Sequence, residues 1–300
     1  MIKVIFLGTS DGIPSAKRNH TAIFLDYKDE NILIDCGEGT QRQFRKADLN
    51  PCKLTRILIT HWHGDHILGI PGLLQTLAFS GYNKTLYIYG PKGTKKYLAE
   101  ILRCFIFVDK IKIKIEEIDK KGKFAETDDF YLTSEKMSHG APCNAYSFVK
   151  KGKLRIDKNK LEKTKLPKGP LLQKLKEGKD IIYEGKKYLA KKLTYFADGK
   201  KVSFILDTSF NKQIVPFVKN SDLLVCEASF SNELEKKAFE HKHMIAGQAA
   251  EIAKKSNSEK LFLTHLSQRY EKDPKVILNE AKKIFKNSYL AEDLQEVIVK

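Results

Sequence analysis

Residues 60–66 read THWHGDH, and no other stretch constrains the fold of this chain as much. The segment places four potential metal ligands in six positions, namely His61, His63, Asp65 and His66. An apolar, β-branched run at residues 56–59 predicts a buried strand before it, and residues 67–74 predict a helix after it. Imidazoles this close together repel one another when protonated, and a borderline cation such as Zn²⁺ relieves that repulsion. A histidine-rich surface turn is the alternative, but a solvated turn does not require a buried strand.

Composition favours a cytoplasmic protein with a sizeable core. Apolar residues make up 42% of the 300 positions, and there is no run of eighteen apolar residues that would predict a membrane span. The first eight residues, MIKVIFLG, predict a strand and not a signal peptide. The five cysteines are scattered without a C-x-x-C pair, which favours free thiols in a reducing compartment.

The net charge of +17 is large for a chain of this length. Genome bias or a hot habitat explains such a lysine content in one interpretation, and an anionic partner explains it in the other. Residues 150–201 contain 18 Lys or Arg and 6 Asp or Glu, so they carry +12 of that charge. Glycines and prolines interrupt a weak apolar periodicity in this window. It therefore predicts a protruding, partly mobile basic arm, with a solvated charged loop as the alternative.

Alternating strand and helix patterns with short connections indicate an α/β protein. Several predicted strands end directly before a residue of a type that can bind metals. Asp35 follows the predicted strand at residues 31–34, where a carboxylate is suited to pin the metal loop by hydrogen bonds more than to bind a metal directly. Asp207 follows the predicted strand at residues 201–206, and a carboxylate there can bridge two cations about 3.5–4 Å apart.

Several motifs resemble the metallo-β-lactamase superfamily and, within it, the tRNase Z family. THWHGDH matches the superfamily signature H-x-H-x-D-H. Residues 8–19 (GTSDGIPSAKRN), 35–43 (DCGEGTQRQ), 167–178 (PKGPLLQKLKEG) and 264–270 (THLSQRY) resemble tRNase Z segments, whereas the last thirty residues carry no motif. The resemblance implies a four-layer αββα sandwich, with residues 1–300 as a single domain. It also implies that the window at residues 150–201 contains an inserted arm, an exosite that grips tRNA.

The resemblance also implies a site for two divalent metal ions per chain, expected to be Zn²⁺, with Mn²⁺ or another divalent metal as an alternative. The first ion would bind His61, His63, His139 and Asp207. The second ion would bind Asp65, His66, His265 and the same Asp207. His139 fits this role because it stands just past the strand-like run at residues 130–133.

A chemical mechanism follows from these ligands. Two cations lower the pKa of a shared water toward neutrality, which makes a nucleophile available for in-line attack on phosphorus. Asp65 would orient this water and accept its proton. By resemblance, His243 would protonate the leaving oxygen or hold a phosphate oxygen, and Glu227 would orient His243. His20 and His241 are expected to be ordinary surface or hydrogen-bonding residues.

These features predict a zinc-dependent endoribonuclease that removes the 3′ trailer from precursor tRNA and leaves a 3′-hydroxyl on the tRNA. The resemblance implies a homodimer, with precursor tRNA as its partner and no membrane contact. Two alternatives stay open: hydrolysis of other phosphodiesters or of thioesters on the same fold, and nucleic-acid binding with structural metals. The basic window disfavours the first alternative because a small substrate needs no arm, and the full ligand set disfavours the second.

Overall fold

The computed structural model describes residues 1–104, 106 and 111–300, which form two compact units. The larger unit contains residues 1–125, 132–148 and 201–300, and the smaller unit contains residues 126–131 and 149–200. Among the described residues, no helix is both long enough and apolar enough to cross a membrane.

Two seven-stranded sheets form the centre of the larger unit. The first contains, in spatial order, β18 (Glu296–Val299), β1 (Ile2–Gly8), β2 (Ala22–Tyr27), β3 (Glu30–Ile34), β4 (Arg56–Leu58), β5 (Thr85–Gly90) and β6 (Lys112–Glu117). The second contains β17 (Ser288–Leu290), β16 (Leu261–Thr264), β15 (Leu223–Glu227), β14 (Lys200–Ile205), β9 (Cys143–Lys150), β8 (Phe130–Met137) and β7 (Gly122–Glu126). Strands β3 to β6 are parallel in the first sheet, and β14 to β17 are parallel in the second.

Helices cover the outer face of each sheet. They are α1 (Thr40–Lys46), α2 (Gly64–Ile67), α3 (Ile70–Phe79), α4 (Thr94–Arg103), α8 (Ile214–Phe217), α10 (Ala246–Lys255) and α11 (Lys275–Ile284). Helix α9 (Glu235–Glu240) packs instead in a small cluster with Phe230 and Ile245. Phe44 of α1, Leu74 of α3 and Leu98 of α4 pack in one buried apolar cluster with the first sheet. Ala250 of α10 and Ile277 of α11 pack in another cluster with the second sheet.

The inner faces of the two sheets contact each other. The rings of Phe6 and Phe262 stack with their centroids 5.6 Å apart, and the hydroxyl of Tyr146 donates to the carbonyl of Ile59 at 2.8 Å. Strand β1 is buried at nearly every position because it is covered on both faces, which explains its continuous apolar sequence. The order of layers is helices, sheet, sheet, helices, which confirms the predicted αββα sandwich.

The smaller unit has its own secondary structure and its own core. Its elements are β10 (Lys153–Ile156), α5 (Lys158–Glu162), α6 (Pro170–Lys176), β11 (Ile181–Tyr183), β12 (Lys186–Tyr188), α7 (Ala190–Leu193) and β13 (Thr194–Ala197). Strand β10 pairs with β13, and β11 pairs with β12. Its buried core consists of Leu166, Leu175, Ile181, Tyr188, Ala190 and Leu193. The basic window therefore contains more regular packing than its weak periodicity predicted, and its role as an arm stays a prediction.

Two neighbouring isoleucines of β11 test whether this small core holds the unit together. Ile181 is 4% exposed and Ile182 is 71% exposed. We expect Ile181→Ala to destabilise the smaller unit by about 2–5 kcal/mol, because it leaves a cavity in a core of six side chains. Hydrogen exchange should then show loss of protection across residues 149–200, with the strands of the larger unit still protected. Ile182→Ala is the matched control, and equal protection in both variants would contradict the prediction.

Candidate metal centre

The ends of strands from both sheets bring the predicted ligands together. His61 and His63 lie between β4 and α2, and Asp65 and His66 lie on α2. His139, Asp207 and His265 follow β8, β14 and β16, respectively. The described residues contain three groups of possible ligand atoms that all lie within 4.8 Å of one another. Two of them contain the predicted ligands, one of His61, His63, His139 and Asp207 and one of Asp65, His66, Asp207 and His265, and the third consists of Glu227, His243 and His265. Every predicted ligand is therefore at the same place in the structure.

Three of the residues at these strand ends have left-handed backbone conformations. The φ angle is +55° at Asp35, +39° at Asp207 and +57° at His265. Such angles are uncommon for residues other than glycine and are found preferentially at functional sites. The chain thus turns sharply where each of the three strands reaches the cluster.

The first group contains nitrogens that face one another. Nδ1 of His63 lies 3.0 Å from Nε2 of His61 and 3.1 Å from Nε2 of His139. Oδ2 of Asp207 lies 3.6 Å from Nε2 of His61 and 3.8 Å from Nε2 of His139. Three imidazole nitrogens that point at one space, with a carboxylate beside them, form a donor set that suits a borderline cation.

The second group shares the carboxylate of Asp207. Nε2 of His66 lies 3.2 Å from Oδ2 of Asp65 and 3.4 Å from Oδ2 of Asp207. Nε2 of His265 lies 3.3 Å from Oδ2 of Asp65 and 3.1 Å from Oδ1 of Asp207. Although Nε2 of His265 is this close, no residue in the described part of the chain makes a hydrogen bond with the buried Oδ1 of Asp207. An unsatisfied buried carboxylate oxygen between two donor groups fits a position that bridges two cations.

The electrostatics of the cluster differ between its histidines. Burial lowers the pKa of His61 well below its ordinary value, and burial also lowers the pKa of His139. Burial opposes the charged form of His66 as well, but the carboxylates of Asp207 and Asp35 raise the pKa of His66 well above its ordinary value. The charges of His265 and His66 outweigh the effect of burial on Asp207 and hold its pKa well below its usual range. The carboxylates of Asp35 and Asp207 thus favour positive charge in the space between the two ligand groups.

Asp35 holds the loop of the predicted ligands by hydrogen bonds, as the sequence predicted. Its Oδ1 accepts from the backbone N–H of Thr60 at 2.7 Å, and its Oδ2 accepts from the Thr60 hydroxyl at 2.6 Å. Nδ1 of His66 lies 2.6 Å from the same Oδ2. Donation from Nδ1 leaves Nε2 of His66 as the lone-pair nitrogen that faces the cluster.

Glu227 orients His243, which was also a prediction. Oε2 of this buried carboxylate lies 3.0 Å from Nδ1 of His243, and Oε1 accepts from the backbone N–H of Thr208 at 2.5 Å. The sequence did not predict the role of Ser229, whose hydroxyl lies 2.9 Å from Oε2 of Glu227 and 2.9 Å from Nδ1 of His265. The only signal was its position two residues after Glu227. Ser229 connects the partner of His243 to a predicted metal ligand.

His243 lies at a cavity of about 640 Å³ that opens over the cluster. Burial opposes its charged form, but the carboxylate of Glu227 outweighs burial and raises the pKa of His243 to about 9. The raised pKa favours the protonated form of the imidazole. Arg269 and His241 line the same cavity, and His241 is exposed, which agrees with the expected surface residue. Nε2 of His20 lies 3.4 Å from the carbonyl of Gly12.

Comparisons with known proteins extend these observations. A family model described as Anti-Pycsar protein Apyc1 matches residues 2–120. Ribonuclease Z of Oceanobacillus iheyensis is 38% identical over 302 residues, which cover 97% of this chain and 98% of that protein. The crystal structure of human tRNase Z, short form, has a TM-score of 0.73 at 25% identity and covers 99% of both chains. The metallo-β-lactamase fold protein YhfI from Bacillus subtilis has a TM-score of 0.72 at 21% identity, over 99% of this chain and 98% of that one.

Asp35→Asn tests whether hydrogen bonds behind the ligands set the affinity for metal. The amide has one accepting oxygen, so it cannot satisfy both Thr60 and His66 as the carboxylate does. We expect the affinity for Zn²⁺ to fall by roughly 10- to 100-fold, which is typical when a partner of a metal ligand is lost. Isothermal titration of metal-stripped protein measures this. Asp26→Asn on β2, whose partner is Asn31, is the matched control, and the same affinity in both variants would contradict the prediction.

Proposed function

Because this chain belongs to the ribonuclease Z family, we propose that it is a metal-dependent endoribonuclease that removes the 3′ trailer from precursor tRNA. Its fold is the metallo-β-lactamase fold. The observation that carries the proposal is the meeting of both ligand groups at Asp207, in a chain that aligns with a ribonuclease Z along almost its full length. A nuclease of this kind needs a hydrolytic centre and a surface for a large anion, and the sequence offers candidates for both.

The proposed cofactor is a pair of Zn²⁺ ions per chain, with Mn²⁺ or another divalent metal as the alternative. One ion would be held by His61, His63, His139 and Asp207, and the other by Asp65, His66, His265 and Asp207. Two bound cations would make a water acidic enough to act near neutral pH and would neutralise charge on the phosphate. The unsatisfied Oδ1 of Asp207 and the facing imidazole nitrogens support this assignment.

The side chains of this protein then divide the proton transfers between them. Asp65 orients the attacking water and accepts its proton, because its carboxylate belongs to the second ligand group and lines the cavity. Water attacks phosphorus in line, and the bond between phosphorus and the 3′ oxygen of the tRNA breaks. His243 gives its proton to that oxygen, since Nδ1 is engaged by Glu227 and Nε2 remains for the substrate. The products are a tRNA with a 3′-hydroxyl and a trailer with a 5′-phosphate.

The smaller unit is the proposed exosite for the body of the tRNA. Its lysines at positions 163, 165 and 168 are exposed, and the window at residues 150–201 carries +12. Cations spread over a folded unit can follow a phosphate backbone without reading its sequence. This property suits an enzyme that must accept many different precursor tRNAs.

We also propose that the enzyme works as a homodimer in the cytoplasm. Membership of the family supports the homodimer. All five cysteines are free thiols, and Cys36, Cys143 and Cys226 are buried, which supports a reducing compartment.

A cleavage assay on a precursor tRNA tests the proposed function. The wild-type protein with Zn²⁺ should release an intact trailer, and mapping of the cut should give a 3′-hydroxyl on the tRNA. A chelator and Asp207→Ala should each abolish cleavage, and elemental analysis should find two ions per wild-type chain. Turnover of small phosphodiesters without cleavage of any precursor tRNA would instead favour another phosphodiesterase on the same fold.

His243→Ala separates proton transfer from metal binding. His243 belongs to neither of the two ligand groups that share Asp207, but it forms a third possible group with Glu227 and His265, so its role needs this test. The variant should keep both ions and its affinity for precursor tRNA, while kcat falls by roughly 10²- to 10⁴-fold, as is usual for a lost acid–base group. Elemental analysis and single-turnover kinetics measure the two effects. Loss of metal from this variant would show that His243 is a ligand.

Neutralising the exposed lysines of the smaller unit tests the exosite. The triple variant Lys163→Gln, Lys165→Gln and Lys168→Gln should bind precursor tRNA more weakly and with a shallower salt dependence. Each lost phosphate contact reduces the slope of log K against log salt by about 0.7–0.9. The matched control replaces Lys282, Lys283 and Lys286, which are also exposed, by Gln. Equal slopes for the two triple variants would make the lysines of the smaller unit ordinary surface charges.

A further inference from the structure

A second cavity, of about 270 Å³, is lined by residues that neighbour the predicted ligands in sequence and takes no part in the chemistry above. We call it the Trp62 pocket, and its walls include Trp62, Ile67, Lys92, Tyr97, Glu100, Ile101 and Pro142. The carboxylate of Glu100 lies 3.9 Å from Nζ of Lys96, which offsets its charge. Its volume is just under the roughly 300–1,000 Å³ of pockets for drug-sized ligands, so it suits a smaller planar group.

Two residues that line the pocket lie close in sequence to residues of the first ligand group. Trp62 stands between His61 and His63, and consecutive Cα atoms are about 3.8 Å apart. On the opposite wall, Pro142 follows His139 by three residues. A polymer bound at the metal centre therefore needs to extend only a short way to enter the pocket.

The aromatic wall is held in a fixed orientation. The indole N–H of Trp62 donates to the hydroxyl of Thr94 at 2.9 Å, and that hydroxyl donates to the carbonyl of Pro91 at 2.7 Å. The ring of Tyr97 on α4 lies with its centroid 5.4 Å from that of Trp62 and is 43% exposed. An oriented and partly exposed aromatic pair presents a surface on which a flat ring can stack.

The chemistry of the remaining walls fits a nucleotide. Ile67 and Ile101 supply apolar contact, and the side chain of Lys92 is exposed at the rim. Aromatic faces beside a cation are the usual means of binding unpaired nucleotides, because every base has a π-face and every linkage carries a charge. The same combination discriminates little between bases.

We propose that the Trp62 pocket binds a nucleobase of the unpaired 3′ trailer near the cleavage site, while Lys92 contacts the trailer backbone. The inference rests on the proposed function. The tRNA side of the cut is assigned to the larger cavity, because His243 lies there and protonates the 3′ oxygen. The Trp62 pocket offers the trailer a separate place, because Trp62 stands between the predicted ligands His61 and His63 in sequence.

The test uses precursor tRNAs in which single trailer nucleotides near the cut lack their base. With the wild-type enzyme, one such abasic position should lower kcat/KM by roughly 5- to 150-fold, the range for loss of one base–aromatic stack. Tyr97→Ala should lower kcat/KM for the normal precursor, mainly through KM, and should remove the effect of that abasic position. Tyr97→Phe should restore both. Tyr289→Ala is the matched control, because Tyr289 on β17 is 41% exposed and lies outside the pocket.

Several results would overturn the inference. One is a wild-type enzyme that cleaves the precursors but responds equally to abasic and normal trailers. Another is a Tyr97→Ala or Trp62→Phe variant that still discriminates against the abasic position. Conversion of a wild-type dimer into a Tyr97→Ala monomer in sedimentation would make the pocket a subunit interface. If the wild-type enzyme cleaves no precursor at all, it is the proposed function that fails.

Discussion

The buried carboxylate of Asp207 is the group on which the rest of the site depends. Its oxygens lie 3.1–3.8 Å from imidazole nitrogens of His61, His66, His139 and His265. A charge removed from water is tolerated only where opposite charge and donors surround it. Here both sheets supply them. His61 and His66 come after β4 of the first sheet, whereas His139 and His265 follow strands β8 and β16 of the second sheet. Packing of the two sheets and assembly of the site are therefore one requirement.

The cluster of predicted ligands could be derived from the sequence because its residues combine chemistry with position. Each of Asp35, Asp207 and His265 comes directly after a buried apolar run or one residue later. Strands that run parallel deliver such residues to the same sheet edge, whatever their separation in sequence. The role of Ser229 was not predictable in the same way, because it depends on the 2.9 Å distance to His265. His265 follows β16, which neighbours the strand that precedes Ser229. A serine after a strand has many uses, and only tertiary packing selects one.

The core of the smaller unit was not predicted from the sequence, for a different reason. Its elements are three to seven residues long, too short to show a helical or strand period. Its six buried side chains are spread from Leu166 to Leu193 among many lysines. Short elements are stabilised by tertiary packing more than by their own propensity, so composition dominated the prediction. The lysines that obscured the apolar pattern in the sequence are exposed in the folded unit. The argument from charge for an anionic partner therefore still applies.

Glu227 makes the proposed proton donor and the proposed metal centre interdependent. Its carboxylate lies 3.0 Å from His243, accepts from the backbone of Thr208 at 2.5 Å and lies 2.9 Å from the hydroxyl of Ser229. Thr208 follows Asp207, the proposed bridge between two ions, and Ser229 contacts the ring of His265. Loss of Glu227 would therefore disturb the donor, the bridge and one ligand together, whereas loss of His243 removes only the donor. The two residues touch each other, yet the network gives them different roles, and metal content is the property that distinguishes them.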